Sequence, residues 1–443
     1  MEKEESQGWF NPSMKKKRSN RSKAASYIGV GMENLLPPEV TIDILSRLPA
    51  ESVLQCKFVC KAWRSLLQDP SFPHMHLLSR LDDDHNAASA SAFGRLGFIF
   101  LSWLPNSKGN KLLDKKKGYK LHYAEYDENP KQSHRTLFVR MNLHPPVNTH
   151  HIVGSCNGLI CIAVNPYGGF DCDPIYICNP ITRECLNLPK FNERYLRGYI
   201  MSGFGYHCST NEYKVVRIYY LSGEPFGRVQ VYTLGGGSGW RHKENISFSL
   251  LLHHDSPAVL ANGALHWLDD EGKIVAFDLA DEEFRLLPSP PCLLLYNEHK
   301  YWFQLRVLGG RLCVVHQNQG KSSDIWSLKK KKKNGNCDIK EPEYQFWSWS
   351  KEFSIKLKGM FVRENEPFSQ LFALTKNCEV LFYNHTILSR YDLKTATLEK
   401  LLNMDKCFFL YFFEAIPHMN SFVSLKALGE EDTQIIGPAE GEE

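Results

Sequence analysis

The chain has 443 residues, beyond the roughly 250–300 at which a single core stops growing, so at least two structural units are expected. Hydrophobic content of 43% and aromatic content of 12%, with 26 Phe, 19 Tyr and 9 Trp, describe a globular protein rich in strand-forming residues. The longest nearly uninterrupted apolar run, Cys407 to Phe413, is far short of the roughly 20 residues that cross a bilayer, and the chain opens on Met1-Glu2-Lys3-Glu4-Glu5, so neither a membrane helix nor a signal core is expected.

Thirteen cysteines are scattered without a Cys-x-x-Cys pair or a histidine partner at finger spacing. They read as reduced thiols of a protein in the nucleus, the cytoplasm or both. The Asn-x-Ser/Thr matches at Asn20, Asn245 and Asn384 therefore carry no weight as glycan sites. The formal charge of +4 hides an uneven spread. Residues 1–31 hold seven Lys/Arg against three Glu, while residues 429–443 hold six acidic residues and no Lys or Arg. Residues 1–31 are expected to be a disordered basic tail and 427–443 a disordered acidic one. Lys15-Lys16-Lys17-Arg18, with Arg21 and Lys23, reads either as a nuclear-import signal or as a solvated arm.

Residues 32–80 read as three short helices. Pro37 and Pro38 precede Val40, Ile44 and Leu48, apolar positions four apart, so a first helix starts where a missing N–H costs least, and Pro49 bounds it. Ser52-Val53-Leu54-Gln55 has the spacing of a capping box, and Val53, Leu54, Cys56, Phe58 and Val59 make a second helix apolar on more than one side. Trp63, Leu66 and Leu67 give a third helix ending near Asp69-Pro70. A unit of about 35 residues buries little surface alone and needs outside help.

Residues 81–92 read as a linker, and residues 93–426 as a mostly-β domain with strands such as Leu159–Ile162, Tyr213–Ile218 and Gln230–Tyr232. An internal repeat sets the architecture. Tyr176-Ile177-Cys178-Asn179-Pro180 runs on to Leu188-Pro189, and Ala276-Phe277-Asp278-Leu279 runs on to Leu287-Pro288. Equivalent landmarks at 127, 179, 233, 278, 327 and 392 are separated by 52, 54, 45, 49 and 65 residues. Those steps match propeller blades with insertions, and about six blades arranged radially hide both faces and both edges of each sheet. Phe408–Phe413 and Phe422–Leu425 are expected to supply strands that close the ring against the first blade. The fold class expected is α+β multidomain, a three-helix unit followed by a propeller of about six blades.

Two families are resembled. Leu36-Pro37-x-Glu39-Val40, Arg47-Leu48-Pro49 and Cys60-Lys61-x-Trp63-Arg64 resemble the F-box, the adaptor-binding motif of cullin–RING ubiquitin ligases. The resemblance implies that Leu36, Pro37, Ile44, Leu45, Leu48 and Val53 form the surface that docks on a Skp-type adaptor, and through it cullin and RING subunits, with Trp63 packed inside. Ser155-Cys156-Asn157-Gly158-Leu159, Asn179-Pro180-x-Thr182, Gly203-Phe204-Gly205-Tyr206 and Asn262-Gly263-x-Leu265-His266-Trp267 resemble the F-box-associated domain of plant F-box proteins, a kelch-like propeller. The sequence departs from a strict kelch pattern, with a double glycine only at Gly309-Gly310 and Cys378 where the last Asn-Gly has its glycine.

Together these imply a non-catalytic substrate receptor of an SCF-type ubiquitin ligase, whose propeller loops hold an unidentified target protein so that transfer gains from proximity. The alternatives are a non-degradative scaffold and a small-molecule receptor using the propeller mouth. No cofactor, metal or membrane is expected, and nucleic acid is disfavoured. His150-His151 and His253-His254 sit side by side and point apart on a strand without a third ligand, so neither pair reads as a metal site. Lys329–Lys333 reads as part of a looped-out insertion. Gly235-Gly236-Gly237-Ser238-Gly239 lacks the Lys-Ser/Thr of a phosphate loop and reads as a flexible hairpin turn. Ser155 has no general base nearby in sequence, and no nucleophile constellation is assigned.

Overall fold

Prolines begin the first two helices. In the computed structural model, which describes residues 36–82, 91–92, 95–103, 119–128, 137–140, 150–164, 173–190, 198–250, 258–295, 301–318, 322–330, 347–356, 370–384, 387–403 and 413–436, helix α1 spans Pro38–Ser46 and α2 spans Ala50–Cys56. Pro37 and Pro49 cap them with φ −55° and carbonyls that take the first helical bonds, from Thr41 N and Val53 N at 3.0 Å. The expected capping box does not form. Proline's fixed φ starts α2 before Ser52, so Ser52 and Gln55 lie within the helix, and no side chain caps it. Helix α3 (Lys61–Leu67) is capped instead by Cys60, whose Sγ accepts from Trp63 N at 3.4 Å. Asp69 then accepts from Ser71 N and Oγ, a turn that launches a fourth helix, α4 (Phe72–Asp82), across the expected linker boundary.

The strands that follow form six antiparallel sheets. The first holds β1 (Ser91–Ala92), β2 (Arg95–Trp103), β3 (Tyr119–Asp127) and β4 (Leu137–Arg140), and the second β5 (His150–Cys156), β6 (Leu159–Val164), β7 (Asp173–Asn179) and β8 (Glu184–Asn187). In the third are β9 (Gly198–His207), β10 (Glu212–Leu221), β11 (Gly227–Thr233) and β12 (Arg241–His242), and in the fourth β13 (Val259–Ala261), β14 (Ala264–Leu268), β15 (Ile274–Asp278) and β16 (Phe284–Leu287). The fifth comprises β17 (Tyr301–Leu308), β18 (Arg311–Asn318), β19 (Ser322–Lys330) and β20 (Trp347–Lys356), and the sixth β21 (Gln370–Leu374), β22 (Glu379–Asn384), β23 (Ile387–Asp392) and β24 (Thr397–Asn403).

One late strand closes the ring. β25 (Phe413–Pro417) pairs with β2, from Phe98↔Pro417 to Ser102↔Phe413, and becomes the innermost strand of the first blade. Innermost strands then touch in a cycle: β25 with β5, β5 with β9, β9 with β13, β13 with β17, β17 with β21, and β21 with β25. Each neighbouring pair of blades shares its own apolar cluster. Val216 and Val231 meet Val275 and Phe277 between the third and fourth, and Phe98 and Phe100 meet Phe372 and Leu381 between the sixth and first. Among the described residues each sheet packs against its neighbours on both sides, which is what a radial array of amphipathic sheets requires.

The repeat landmarks find their cause here. Asp127, Asn179, Thr233, Asp278 and Asp392 end the third strands of their blades, and Ser327 lies within the third strand of the fifth. Asn179, Asp278 and Asp392 accept from the backbone N–H two residues on, at 2.9, 2.8 and 2.7 Å, so a short polar side chain at the strand end builds the turn to the fourth strand.

Three expectations about the far end and loops are corrected. Phe422–Leu425 is not a strand. Residues 427–436, expected as part of a disordered tail, are folded, and β26 (Gln434–Ile435) pairs with β8 as a fifth strand of the second blade. Gly235, at φ +72°, is their seat: a Cβ built there lies 1.7 Å from the Leu428 carbonyl oxygen, so that glycine is a close-approach site. Lys329 and Lys330 continue β19, because Lys329 pairs with Glu352 at 2.6 Å and Lys330 lies over Trp347. Lys331–Lys333 fall outside the described residues.

Candidate docking surface

The helical unit has an inside and an outside. Leu45, Ala50, Val53, Leu67 and Phe72 form its core, with Leu48, Leu54, Cys56 and Trp63 packed against it at partial exposure. Two of the six residues expected on the docking surface are therefore misplaced. Leu45 and Val53 are 1% and 0% exposed, because a one-residue step on a helix turns a side chain by about 100° and carries Leu45 inward from Ile44. Leu48 is half-buried against the same core, and Trp63 packs there as expected.

The other three face outward. Leu36 is 50% and Ile44 46% exposed, Pro37 is exposed, and Val40 joins them at 42%, so Leu36, Val40 and Ile44 succeed one another at four-residue steps. The apolar pattern predicts Phe58 and Val59 within the second helix. α2 ends at Cys56, and the turn after it leaves them 82% and 64% exposed. The exposed ion pair Asp43–Arg47 at 2.9 Å lies beside the α1 stripe. Exposed apolar side chains at helical spacing beside a charged pair are candidates for an interaction surface.

Behind the helices the chain seals itself. Phe422 enters the helical core, its ring 5.9 Å from that of Phe72 and 5.0 Å from His76, with the Lys57 ammonium 5.4 Å from its centroid. His76 is fully buried with Nε2 2.9 Å from the Leu48 carbonyl oxygen, and burial, aided by Arg80, pushes its pKa down to about 4. Asn420 donates to Glu51 of α2. On its other side, Asn420 meets His418 Nε2 at 2.9 Å, and His418 Nδ1 meets Ser155 Oγ at 2.7 Å.

Ser155 has no partner nearby in sequence, yet the fold supplies a histidine 263 residues away. The chain of groups ties β5 to residues 418–420 and, through Asn420, to α2. His418 is 1% exposed, flanked by Tyr123 at 6.0 Å, and burial lowers its pKa to about 4, so its ring is a poor proton acceptor for a hydroxyl at neutral pH. Among the described residues no group of three His, Cys, Asp or Glu is placed to hold a metal, and His253-His254 lie outside them. No helix of the described residues is long and apolar enough to cross a membrane.

Comparison with known proteins agrees with this layout. Residues 34–79 match the F-box-like family and residues 113–414 match the F-box associated beta propeller domain. The Arabidopsis thaliana F-box protein At3g07870 is 29% identical over 418 residues, covering 85% of this chain and 89% of that one. F-box protein CPR1 from the same plant is 24% identical over 396 residues, covering 83% and 84%. The Arabidopsis F-box/kelch-repeat protein At3g23880 is 24% identical over 336 residues, covering 74% and 81%.

Proposed function

Because this chain belongs to the F-box associated β-propeller family and carries an F-box-like unit ahead of the propeller, we propose that it is the target-recognition subunit of an SCF-type cullin–RING ubiquitin ligase. The helical unit docks on a Skp-type adaptor, and the propeller holds a target protein. The observation that carries the reading is the uncovered stripe Leu36, Pro37, Val40 and Ile44 on a unit whose opposite side is filled by Phe422. Fully burying such a side chain is worth roughly 1.5–3 kcal/mol, so covering the half of each that is still exposed contributes about 1 kcal/mol, before the cost of association. Phe58 and Val59 extend the candidate surface beyond the residues the motif names.

The helices sit at the propeller end that carries the Asn157-Gly158 and Ile181 turns, since Phe422, Ile181 and Leu77 pack there. A target is then held at the opposite end, where β10 turns into β11 at 222–226 and where Leu294 is 89% exposed. The chain itself is a non-catalytic receptor: it raises the local concentration of a target lysine at the ubiquitin-conjugating enzyme, to about millimolar for a flexible tether.

Pull-down with a Skp-type adaptor tests the docking half. The double variant Leu36→Ala/Pro37→Ala should lose the adaptor while the propeller keeps its thermal transition, and undiminished capture would refute the surface. Affinity purification in the presence of a proteasome inhibitor tests the receptor half. Proteins that accumulate in the bound fraction only under inhibition are the expected result, and unchanged partner abundance would favour a scaffold.

A further inference from the structure

Besides the direct packing of Leu77 and Ile181, the helices and the propeller are joined by a segment that follows the last strand of the ring, residues 418–425. Residues 418–424 lie outside helix and strand, and a turn follows at 425–429. Phe422 enters the helical core while Val423 and Leu425 enter the apolar cluster between the second and third blades. One short segment is shared by two cores.

The propeller side of that segment is bolted down. Asn179, fully buried at the end of β7, donates through Nδ2 to the carbonyls of Ser421 and Val423 at 3.1 and 2.7 Å. Glu184 of β8 accepts from Ser424 Oγ at 2.7 Å and Leu425 N at 2.6 Å. Further on, the Glu430 carboxylate accepts from Tyr232 OH at 3.0 Å and Gly235 N at 2.8 Å, and the Ile436 N–H donates to the Arg183 carbonyl at 2.9 Å. The helical side is held by Phe422 and by Asn420 on Glu51. Among the described residues, the contacts of this segment leave the exposed α1 stripe free.

The geometry points to residues 418–436 as a strap that fixes the orientation of the helical unit on the propeller. The consequence, that adaptor and target are held at one set distance, rests on the receptor reading; the strap itself does not. A rigid arm and a hinged one differ in how often a target lysine meets the conjugating enzyme, so the strap decides the geometry of transfer.

The test uses the full chain with Phe422→Ala, Phe422→Leu and Asn420→Ala. In Phe422→Ala, amide exchange across α1–α4 and residues 418–425 should speed by about tenfold while β13–β19 are unchanged. The small-angle scattering radius of gyration should rise, and adaptor affinity should stay within about twofold because the α1 stripe is untouched. Phe422→Leu should restore most of the protection. Wild-type exchange and radius in Phe422→Ala would overturn the strap. Should Phe422→Ala instead unfold the helices and lose the adaptor, Asn420→Ala, which leaves the apolar core whole, decides: faster exchange at 418–425 with a larger radius supports the strap, and wild-type behaviour overturns it. Failure of the wild-type chain to bind adaptor would sink the receptor reading and leave these readouts intact.

Discussion

The Trp240 indole nitrogen donates to the Pro189 carbonyl oxygen at 2.9 Å, tying the third blade to the second. Trp349 repeats the tie on Pro288 at 2.5 Å, between the fifth blade and the fourth. Both prolines follow a buried leucine, Leu188 or Leu287, so the Leu-Pro of the repeat delivers a carbonyl to the next blade's tryptophan. The Arg217 guanidinium lies 4.0 Å from the Trp240 ring centroid, adding cation–π attraction. Trp240→Phe, which loses the donor and keeps a ring, should destabilise by about 1 kcal/mol, and Trp240→Ala by about 2–3 kcal/mol. Urea unfolding measures both, and a phenylalanine variant as stable as the parent would contradict the tie.

Acid should loosen the molecule in two separable steps. Burial, with Arg80 nearby, lowers His76 from 6.5 to about 4, and burial does the same to His266 and His418. Their folded pKa values lie below the unfolded one, so between these values the unfolded chain binds more protons. The stability these neutral rings contribute is complete above about pH 6.5 and declines as pH falls toward 4, by about 1–2 kcal/mol per ring at pH 5. Glu282 acts lower. Burial alone would raise its carboxyl, but hydrogen bonds from Arg241, Lys214 and Lys243 hold it at about 2, so its contribution persists above about 4.5 and fades only toward 2. A urea midpoint that stays flat from pH 7 to pH 5 would argue against the histidine step.

Much of the ring was legible because its signals are local. An Asx residue two positions before a needed turn N–H, or an Asn-Gly pair at φ 50° and 86° as at Asn157-Gly158, writes a hairpin into a few letters. The inward face of the helices was less legible, since Ile44 and Leu45 are both apolar and only tertiary packing distinguishes them. Phe422 was illegible: its neighbours in space, Leu45, Val53 and Phe72, lie some 350 residues away, and an apolar run near the end reads equally well as a strand. Gly235 carried a signal read only as flexibility, whereas a positive-φ glycine also marks close approach of another chain segment.

Cys378 holds the left-handed conformation, φ +66°, at the turn between β21 and β22, where Gly158, Gly263 and Gly310 serve the equivalent turns. Its side chain is exposed, so the strain is what remains. Cys378→Gly should relieve roughly 1–2 kcal/mol of steric cost against about 0.5–1 kcal/mol of added unfolded-state entropy, a net gain of about 0.5–1 kcal/mol. Thermal unfolding under reducing conditions reads the difference. A lower midpoint would mean the thiol does more than fill the turn.

Adjacent residues Ile44 and Leu45 offer the sharpest separation of docking from folding. Ile44 is 46% exposed on the α1 stripe, so Ile44→Glu leaves the core intact and should shift unfolding by less than about 0.5 kcal/mol. Placed in an apolar contact, the same carboxylate must be desolvated, and adaptor affinity should fall by more than about 100-fold. Leu45→Ala removes a side chain that is 1% exposed between Val53 and Phe72, and should destabilise the helical unit by about 2–4 kcal/mol. Its effect on adaptor binding should therefore track the fraction unfolded and recover on cooling, whereas that of Ile44→Glu should persist at every temperature at which the chain is folded. Equal and temperature-independent losses from both variants would place Leu45 on the docking surface and reverse the burial assignment.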